Sequence, residues 1–105
     1  MKLIHCFGYP TTLDESKDSY KVRYAVRGVV MDANNNIGII HSNARGYYEI
    51  PGGGIESGET IEAGFLREMK DELGCNVEIL EELGEIQHIY TDLNHKHVAY
   101  CFLAK

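Results

Sequence analysis

Apolar and polar positions divide the chain into several short β-type segments and one helical segment. Residues 24–31 are apolar on both faces, as in a buried strand, and the polar residues 32–36 separate them from a second apolar segment at 37–41. This pattern predicts a β-hairpin with an Asn-rich turn. A short apolar segment at 3–7 predicts a first strand, and the polar residues 14–19 predict an exposed loop after it.

Residues 60–73 have the helical period. Thr60 or Ser57 is the predicted N-cap, because a hydroxyl side chain can accept a hydrogen bond from a free N–H group of the first turn. Gly74 follows the last apolar position and suits the left-handed conformation that ends many helices.

The remaining segments predict further strands. Residues 47–50 form a short apolar segment that Pro51 closes, and the three following glycines, Gly52–Gly54, predict a loop. Residues 77–89 predict a long strand with a bulge or bend at Gly84. Residues 97–103 predict a final strand, so the chain is expected to be one α/β or α+β domain over residues 1–105.

Composition narrows the class of function. With 16 acidic and 10 basic residues the net charge is −6, and no basic run exceeds two residues, which argues against a partner that is polymeric nucleic acid. No stretch approaches the roughly 20 apolar residues that span a membrane. The three cysteines, Cys6, Cys75 and Cys101, form no CxxC pair, which favours a reducing compartment, the cytoplasm.

The predicted helix places carboxylates beside its apolar stripe. At about 100° per residue, one stripe contains four apolar side chains: Phe65, Leu66, Met69 and Leu73. Glu68, Asp71 and Glu72 cluster next to it. Like charges four residues apart repel, and a divalent cation between them reverses that effect. The alternative is an ordinary solvated acidic face, which is the commoner explanation of such residues.

The glycine-rich segment leads directly into this acidic helix. The backbone N–H groups of Gly52, Gly53 and Gly54 can approach an anion closely, so we expect a phosphate-binding loop there. A lone glycine-rich loop is usually just a turn, but its coupling to the three carboxylates makes the signal more specific.

The segment 53–75 resembles the Nudix box, which is a glycine, five residues, a glutamate, seven residues and then Arg-Glu-aliphatic-x-Glu-Glu-x-Gly-aliphatic. The matching positions are Gly53, Glu59, Arg67, Glu68, Met69, Asp71, Glu72, Gly74 and Cys75. Asp71 is the one clear departure, because the family usually has glutamate there.

The resemblance implies an α/β/α sandwich around a mixed sheet. It also implies hydrolysis of a pyrophosphate bond in a nucleoside diphosphate linked to another moiety. The cofactor is expected to be Mg²⁺, with Mn²⁺ as an alternative, and the partner is a small molecule. Family members usually continue past the last strand with a C-terminal helix. Lys105 follows that strand directly, so we expect either a naturally short protein or a chain truncated before this helix. If the helix is lacking, a homodimer is one way to cover the apolar sheet face.

The resemblance also assigns roles to individual residues. Glu68 and Glu72 are the expected metal ligands, and Asp71 joins them directly or through water. Arg67 orients the neighbouring glutamates, and Glu59 approaches the same cluster from the loop. The general base stays open, with Glu85 and Asp92 as candidates on position alone.

Two other functions compete with the hydrolase. A regulatory module of the same fold would bind a nucleotide without cleaving it, and an acidic scaffold would share the motif by chance. His95 and His97 alternate along the last strand, and we interpret them as surface or edge-strand histidines because too few soft ligands accompany them for a zinc site.

Overall fold

The computed structural model describes residues 3–8, 21–90 and 95–105 as a mixed sheet with one helix packed on it. The elements in chain order are β1 (Leu3–Gly8), β2 (Lys21–Val30), β3 (Ile40–Ser42), β4 (Tyr47–Glu49), β5 (Gly52–Gly54), α1 (Ile61–Leu73), β6 (Ile79–Tyr90) and β7 (His95–Ala104). The predicted class, a mixed sheet combined with helix, is therefore confirmed. The homodimer stays a prediction.

The main sheet has five strands in the order β1-β6-β7-β2-β5. The pairs β1–β6 and β2–β7 are parallel, whereas β6–β7 and β2–β5 are antiparallel. β3 and β4 form a separate two-stranded sheet. Gly84 has φ 135 and lies where the β6–β7 register shifts, which confirms the predicted bulge.

The core lies between α1 and one face of the sheet. Phe65 and Met69 are fully buried against β2 and β7, together with Val26, Val30 and Phe102. The rings of Phe65 and Phe102 are tilted at 45° with centroids 4.8 Å apart. This geometry is a favourable aromatic contact.

The predicted hairpin is half right. Asp32 closes the turn, because its Oδ1 atom accepts hydrogen bonds from the N–H groups of Asn34 (2.8 Å) and Asn36 (2.9 Å). The predicted return strand at 37–41 is wrong, since the pairing stops at one bridge between Met31 and Ile37. β5 pairs with residues 25–27 of β2, so the returning segment contacts only the end of β2, and residues 40–42 pair with β4 instead.

Three further predictions need correction. The glycines of β5 form a strand rather than a loop, because they pair with residues 25–27 of β2. Leu66 is 42% exposed and lies outside the buried stripe. His95 and His97 lie in β7, which has neighbours on both sides, so they are not edge-strand residues. The sequence pattern alone does not reveal which strand takes the edge.

Close packing of α1 on β2 depends on Gly28. A Cβ atom added there would lie 2.7 Å from Cε2 of Phe65 and 3.1 Å from the sulfur of Met69. Gly28→Ala is therefore expected to destabilise the fold by about 1–3 kcal/mol through overpacking. Chemical denaturation measures this change.

The matched control is Phe65→Leu, alone and combined with Gly28→Ala. If the clash with the ring is the cause, the cost of Gly28→Ala shrinks in the Phe65→Leu background. Strict additivity of the two substitutions would contradict this packing argument.

Candidate active site

The helix that carries the acidic residues has well-defined ends. Thr60 is the N-cap, with φ −73 and ψ 162, and its hydroxyl accepts a hydrogen bond from the N–H group of Ala63 at 3.1 Å. Gly74 ends the helix in the left-handed conformation with φ 73. Both ends agree with the sequence prediction, which offered Thr60 or Ser57 as the cap. These caps fix where Arg67, Glu68 and Glu72 point.

Arg67 is the centre of the acidic cluster. Its Nε atom donates to Oε2 of Glu59 at 2.7 Å and its Nη2 atom donates to Oε1 of the same carboxylate at 2.9 Å. The Nη1 atom donates to Oε1 of Glu68 at 2.8 Å, and Nη2 also donates to the carbonyl oxygen of Gly54 at 3.0 Å. The guanidinium group of Arg67 thus binds two carboxylates and the backbone of β5. Its contact with Glu59 has the bidentate geometry that arginine favours.

The charges of this pair stabilise each other. Hydrogen bonds from Arg67, and then from the N–H group of Glu56, lower the pKa of Glu59 from 4.5 to about 2. The hydrogen bonds to Glu59 and Glu68 in turn raise the pKa of Arg67. Glu59 is therefore an anion throughout the neutral range, and its role in this cluster is to hold Arg67.

The glycines of β5 allow the carboxylates to touch the strand. The N–H group of Gly52 donates to Oε2 of Glu72 at 3.3 Å. A Cβ atom on Gly53 would lie only 2.6 Å from Cδ of Glu68 and 2.7 Å from both of its oxygens. Any side chain at position 53 would therefore displace the Glu68 carboxylate.

Glu72 lies in a different environment from Glu59. Burial raises the pKa of Glu72, and the negative charge of Glu68 adds to this effect, while the hydrogen bond from Gly52 opposes it. A carboxylate that is both desolvated and close to another anion gains from a bound cation. The environment of Glu72 therefore suits a metal ligand.

Asp71 does not join Glu68 and Glu72 closely. Its side chain is 64% exposed, and its Oδ2 atom lies 3.7 Å from Nη1 of Arg67. Among the side chains described, those of residues 21–88 and 95–105, no three metal-binding groups are close enough to form a complete protein cage. Mg²⁺ needs no such cage, since one or two carboxylates, several waters and substrate phosphates complete its shell.

Of the two candidates for the general base, the structure describes only Glu85. Glu85 lies on β6 opposite Tyr100, and its charge contributes to the raised pKa of Tyr100 after the larger effect of burial. No contact joins Glu85 to the box carboxylates in the described part of the chain. Asp92 lies outside the described residues. The general base therefore stays unassigned.

Sequence reasoning missed a group of basic residues on the opposite face of the sheet. Arg23 and Arg27 of β2 share this face with His97 of β7, which is paired with Arg23. Burial, and then the charges of Arg23 and Arg27, lower the pKa of His97. The i, i+4 spacing of the arginines was a visible signal, but only the strand pairing brings the histidine beside them.

Comparisons with known proteins agree with this geometry. The NUDIX domain family profile matches residues 21–105. The chain belongs to the Nudix hydrolase family. It is 34% identical over 89 residues to the 8-oxo-dGTP diphosphatase of Proteus vulgaris, an alignment that covers 81% of this chain and 76% of that protein. The family predicted from residues 53–75, and with it the class of enzyme, is therefore confirmed.

Other Nudix relatives match over shorter or more divergent regions. An RNA pyrophosphohydrolase of Orientia tsutsugamushi is 53% identical over 38 residues, which are 36% of this chain and 24% of that protein. The MutT protein of Methanosarcina mazei Go1 superposes with a TM-score of 0.67 and 20% identity, covering 80% of this chain and 63% of that structure. This structural likeness supports the Nudix fold alone.

Two further observations concern the described residues outside the acidic cluster. Cys75 is exposed and Cys101 is buried, and both are free thiols. No helix among the described residues has the length and apolar character that are needed to span a membrane.

The Glu59–Arg67 pair predicts a specific pH dependence of stability. Because folding lowers the pKa of Glu59 from 4.5 to about 2, its contribution is fully present above about pH 4.5 and is lost as pH falls towards 2. Glu59→Gln should therefore lower the melting temperature most at neutral pH, and the difference from the parent should narrow between pH 4.5 and 2. A difference that stays constant over this range would contradict the assignment.

Proposed function

We propose that this Nudix protein hydrolyses a pyrophosphate bond in a nucleoside diphosphate linked to another moiety, with Mg²⁺ as the cofactor. The observation that carries the proposal is the Arg67 cluster. In it, one guanidinium group binds both Glu59 and Glu68, next to a strand of three glycines that have no side chains. Glu72 completes the group through its hydrogen bond from Gly52.

The donor set fits a hard divalent cation. Glu68 and Glu72 are half-buried carboxylates on one helix, and Glu72 is desolvated next to another anion. We assign both as direct ligands of Mg²⁺, and Mn²⁺ suits the same oxygen donors. Asp71 is shorter by one methylene than the usual glutamate and more exposed, so we assign it a ligand role through water.

When bound, the cation neutralises phosphate oxygens and stabilises the charge that develops in the transition state. The residues of the chain position the metal ligands and the substrate. Arg67 fixes the rotamer of Glu68, and Glu59 fixes Arg67, so the ligand geometry exists before the substrate arrives. Gly52, Gly53 and Gly54 leave the strand bare, and this allows the phosphates of the substrate to approach the carboxylates closely.

The proposed partner is a small nucleotide rather than polymeric nucleic acid or a membrane. The name of the Proteus vulgaris relative indicates a nucleoside triphosphate as substrate of that protein. We propose the same chemical class here, namely nucleotides with a pyrophosphate bond. The free thiols of Cys75 and Cys101 agree with the reducing cytoplasm as the compartment.

The first test compares the parent chain with Glu72→Gln. Removing a direct ligand should lower kcat by about a hundredfold or more, since the cation stabilises charge in the transition state. Turnover is measured by chromatography with Mg²⁺ and a panel of nucleoside di- and triphosphates, nucleotide sugars and dinucleoside polyphosphates. Binding of Mn²⁺, measured by water proton relaxation, should weaken in parallel.

The melting temperature of Glu72→Gln distinguishes a loss of catalysis from misfolding. Because burial and Glu68 raise the pKa of Glu72, the ionised carboxylate costs stability above that pKa, and the neutral amide avoids this cost. Glu72→Gln should therefore keep or raise the melting temperature while it loses activity. Tight binding of a nucleotide without any turnover by the parent chain would instead indicate the regulatory module.

A second test addresses the position of Glu68. Gly53→Ala would push a Cβ atom into the Glu68 carboxylate, so kcat should fall by about tenfold or more. Gly28→Ala is the comparison, because a Cβ atom there meets the core side chains of Phe65 and Met69 rather than a carboxylate. Equal losses in the two variants would show that the contact with Glu68 is unimportant.

A further inference from the structure

Two cavities that share Arg27 and His97 lie on the sheet face opposite to α1, and we describe them together as a groove with a basic half and an apolar half. The basic half has a volume of about 410 Å³ and is lined by Arg23, Arg27, Arg45, Glu49, His95 and His97, with the backbone of Gly52 and Gly53. The apolar half has a volume of about 290 Å³, shares Arg27 and His97, and adds Ile50, Ile86, His88 and Ala99. Such a groove suits a ligand with one anionic end and one uncharged end.

The glycine strand β5 lines this groove and also contacts the acidic cluster. Successive residues of a strand point to opposite faces. A Cβ atom on Gly53 would meet Glu68, whereas a Cβ atom on Gly52 would meet Cδ of Arg27 at 2.7 Å. β5 is also the edge strand of the sheet. A single ligand can therefore extend around this edge, from the carboxylates of α1 to the arginines of β2.

The charges in the basic half favour an anion. In a chain with a net charge of −6, this half brings together three positively charged arginines, and the rings of two histidines add N–H donors. Its one carboxylate, Glu49, lies 3.6 Å from Nη1 of Arg45 and is partly neutralised by it. Within the described residues Arg23 forms no ion pair, and the buried Nε2 atom of His97 has no hydrogen-bond partner.

We propose that Arg23 and Arg27 bind a phosphate of the substrate that lies outside the pair held at the α1 carboxylates. The preferred substrates then contain at least three consecutive phosphates, as nucleoside triphosphates do, rather than two phosphates and a neutral sugar. This inference rests on the proposed hydrolase function and names the substrate class within it.

Arg23→Gln is the principal variant, because Arg23 is exposed and its loss leaves the core intact. For the nucleoside that turns over best, kcat/KM is compared between its triphosphate and its diphosphate sugar. The parent should favour the triphosphate by about tenfold or more, and Arg23→Gln should lose about tenfold on the triphosphate, mainly through KM. The diphosphate sugar should change by less than about twofold, since it lacks the third phosphate.

Arg27→Gln is the second variant. It should show the same selective loss, and its melting temperature is measured because the stem of Arg27 packs on Gly52. Lys21→Gln is the matched control, since it removes one positive charge from the same strand and face but lies outside the groove lining. A loss on the triphosphate in Lys21→Gln equal to that in Arg23→Gln would mean general electrostatic attraction and would overturn the proposal.

A binding measurement separates failure of this inference from failure of the hydrolase function. A nucleoside triphosphate analogue with non-hydrolysable bridges is titrated calorimetrically into the parent, Arg23→Gln and Lys21→Gln. Weaker binding to Arg23→Gln alone supports the phosphate site, even if no nucleotide is hydrolysed. Absence of hydrolysis would contradict only the proposed function. Equal binding to all three chains, or equal turnover of the triphosphate and the sugar, overturns the inference.

Discussion

The geometry of the site depends on the bidentate contact between Arg67 and Glu59. The two short hydrogen bonds, 2.7 and 2.9 Å, leave the remaining donors of the guanidinium pointing at Glu68 and at the carbonyl of Gly54. A flexible side chain on a helix is thereby fixed to the preceding loop and to the edge of the sheet. The position of the Glu68 carboxylate follows from this contact and from its close approach to Gly53, so the helix, the loop and β5 act as one unit.

The same cluster shows how an acidic site is kept folded. Glu59 is stabilised as an anion by Arg67, whereas burial and Glu68 make the ionised form of Glu72 unfavourable. Glu59, just before the N-cap of α1, and Glu72, in its last turn, thus differ in electrostatics: Arg67 stabilises the charge of Glu59, whereas burial disfavours the charge of Glu72. Natural proteins often accept such a local cost at functional sites.

Local signals in the sequence predicted the parts of the fold that local physics determines. The helix with its caps at Thr60 and Gly74, and the bulge at Gly84, follow from backbone preferences of nearby residues. The Nudix box likewise named Arg67, Glu68 and Glu72 through their spacing. The strand formed by Gly52–Gly54 was missed, because its pairing with β2 is a long-range contact that overrides the turn preference of glycine. The grouping of Arg23 with His97 was missed for the same reason, since it depends on the register between β2 and β7.

The outward-facing groups of β5 have a consequence for the behaviour of the protein at high concentration. An uncovered sheet edge offers free N–H and C=O groups to other chains and promotes aggregation. Here the N–H group of Gly52 is bound to Glu72 and the carbonyl of Gly54 is bound to Arg67. Two side chains of the acidic cluster therefore also shield a glycine strand that has no side chains to protect it. Substituting Arg67 or Glu72 would therefore also leave a hydrogen-bonding group of the β5 edge without its partner.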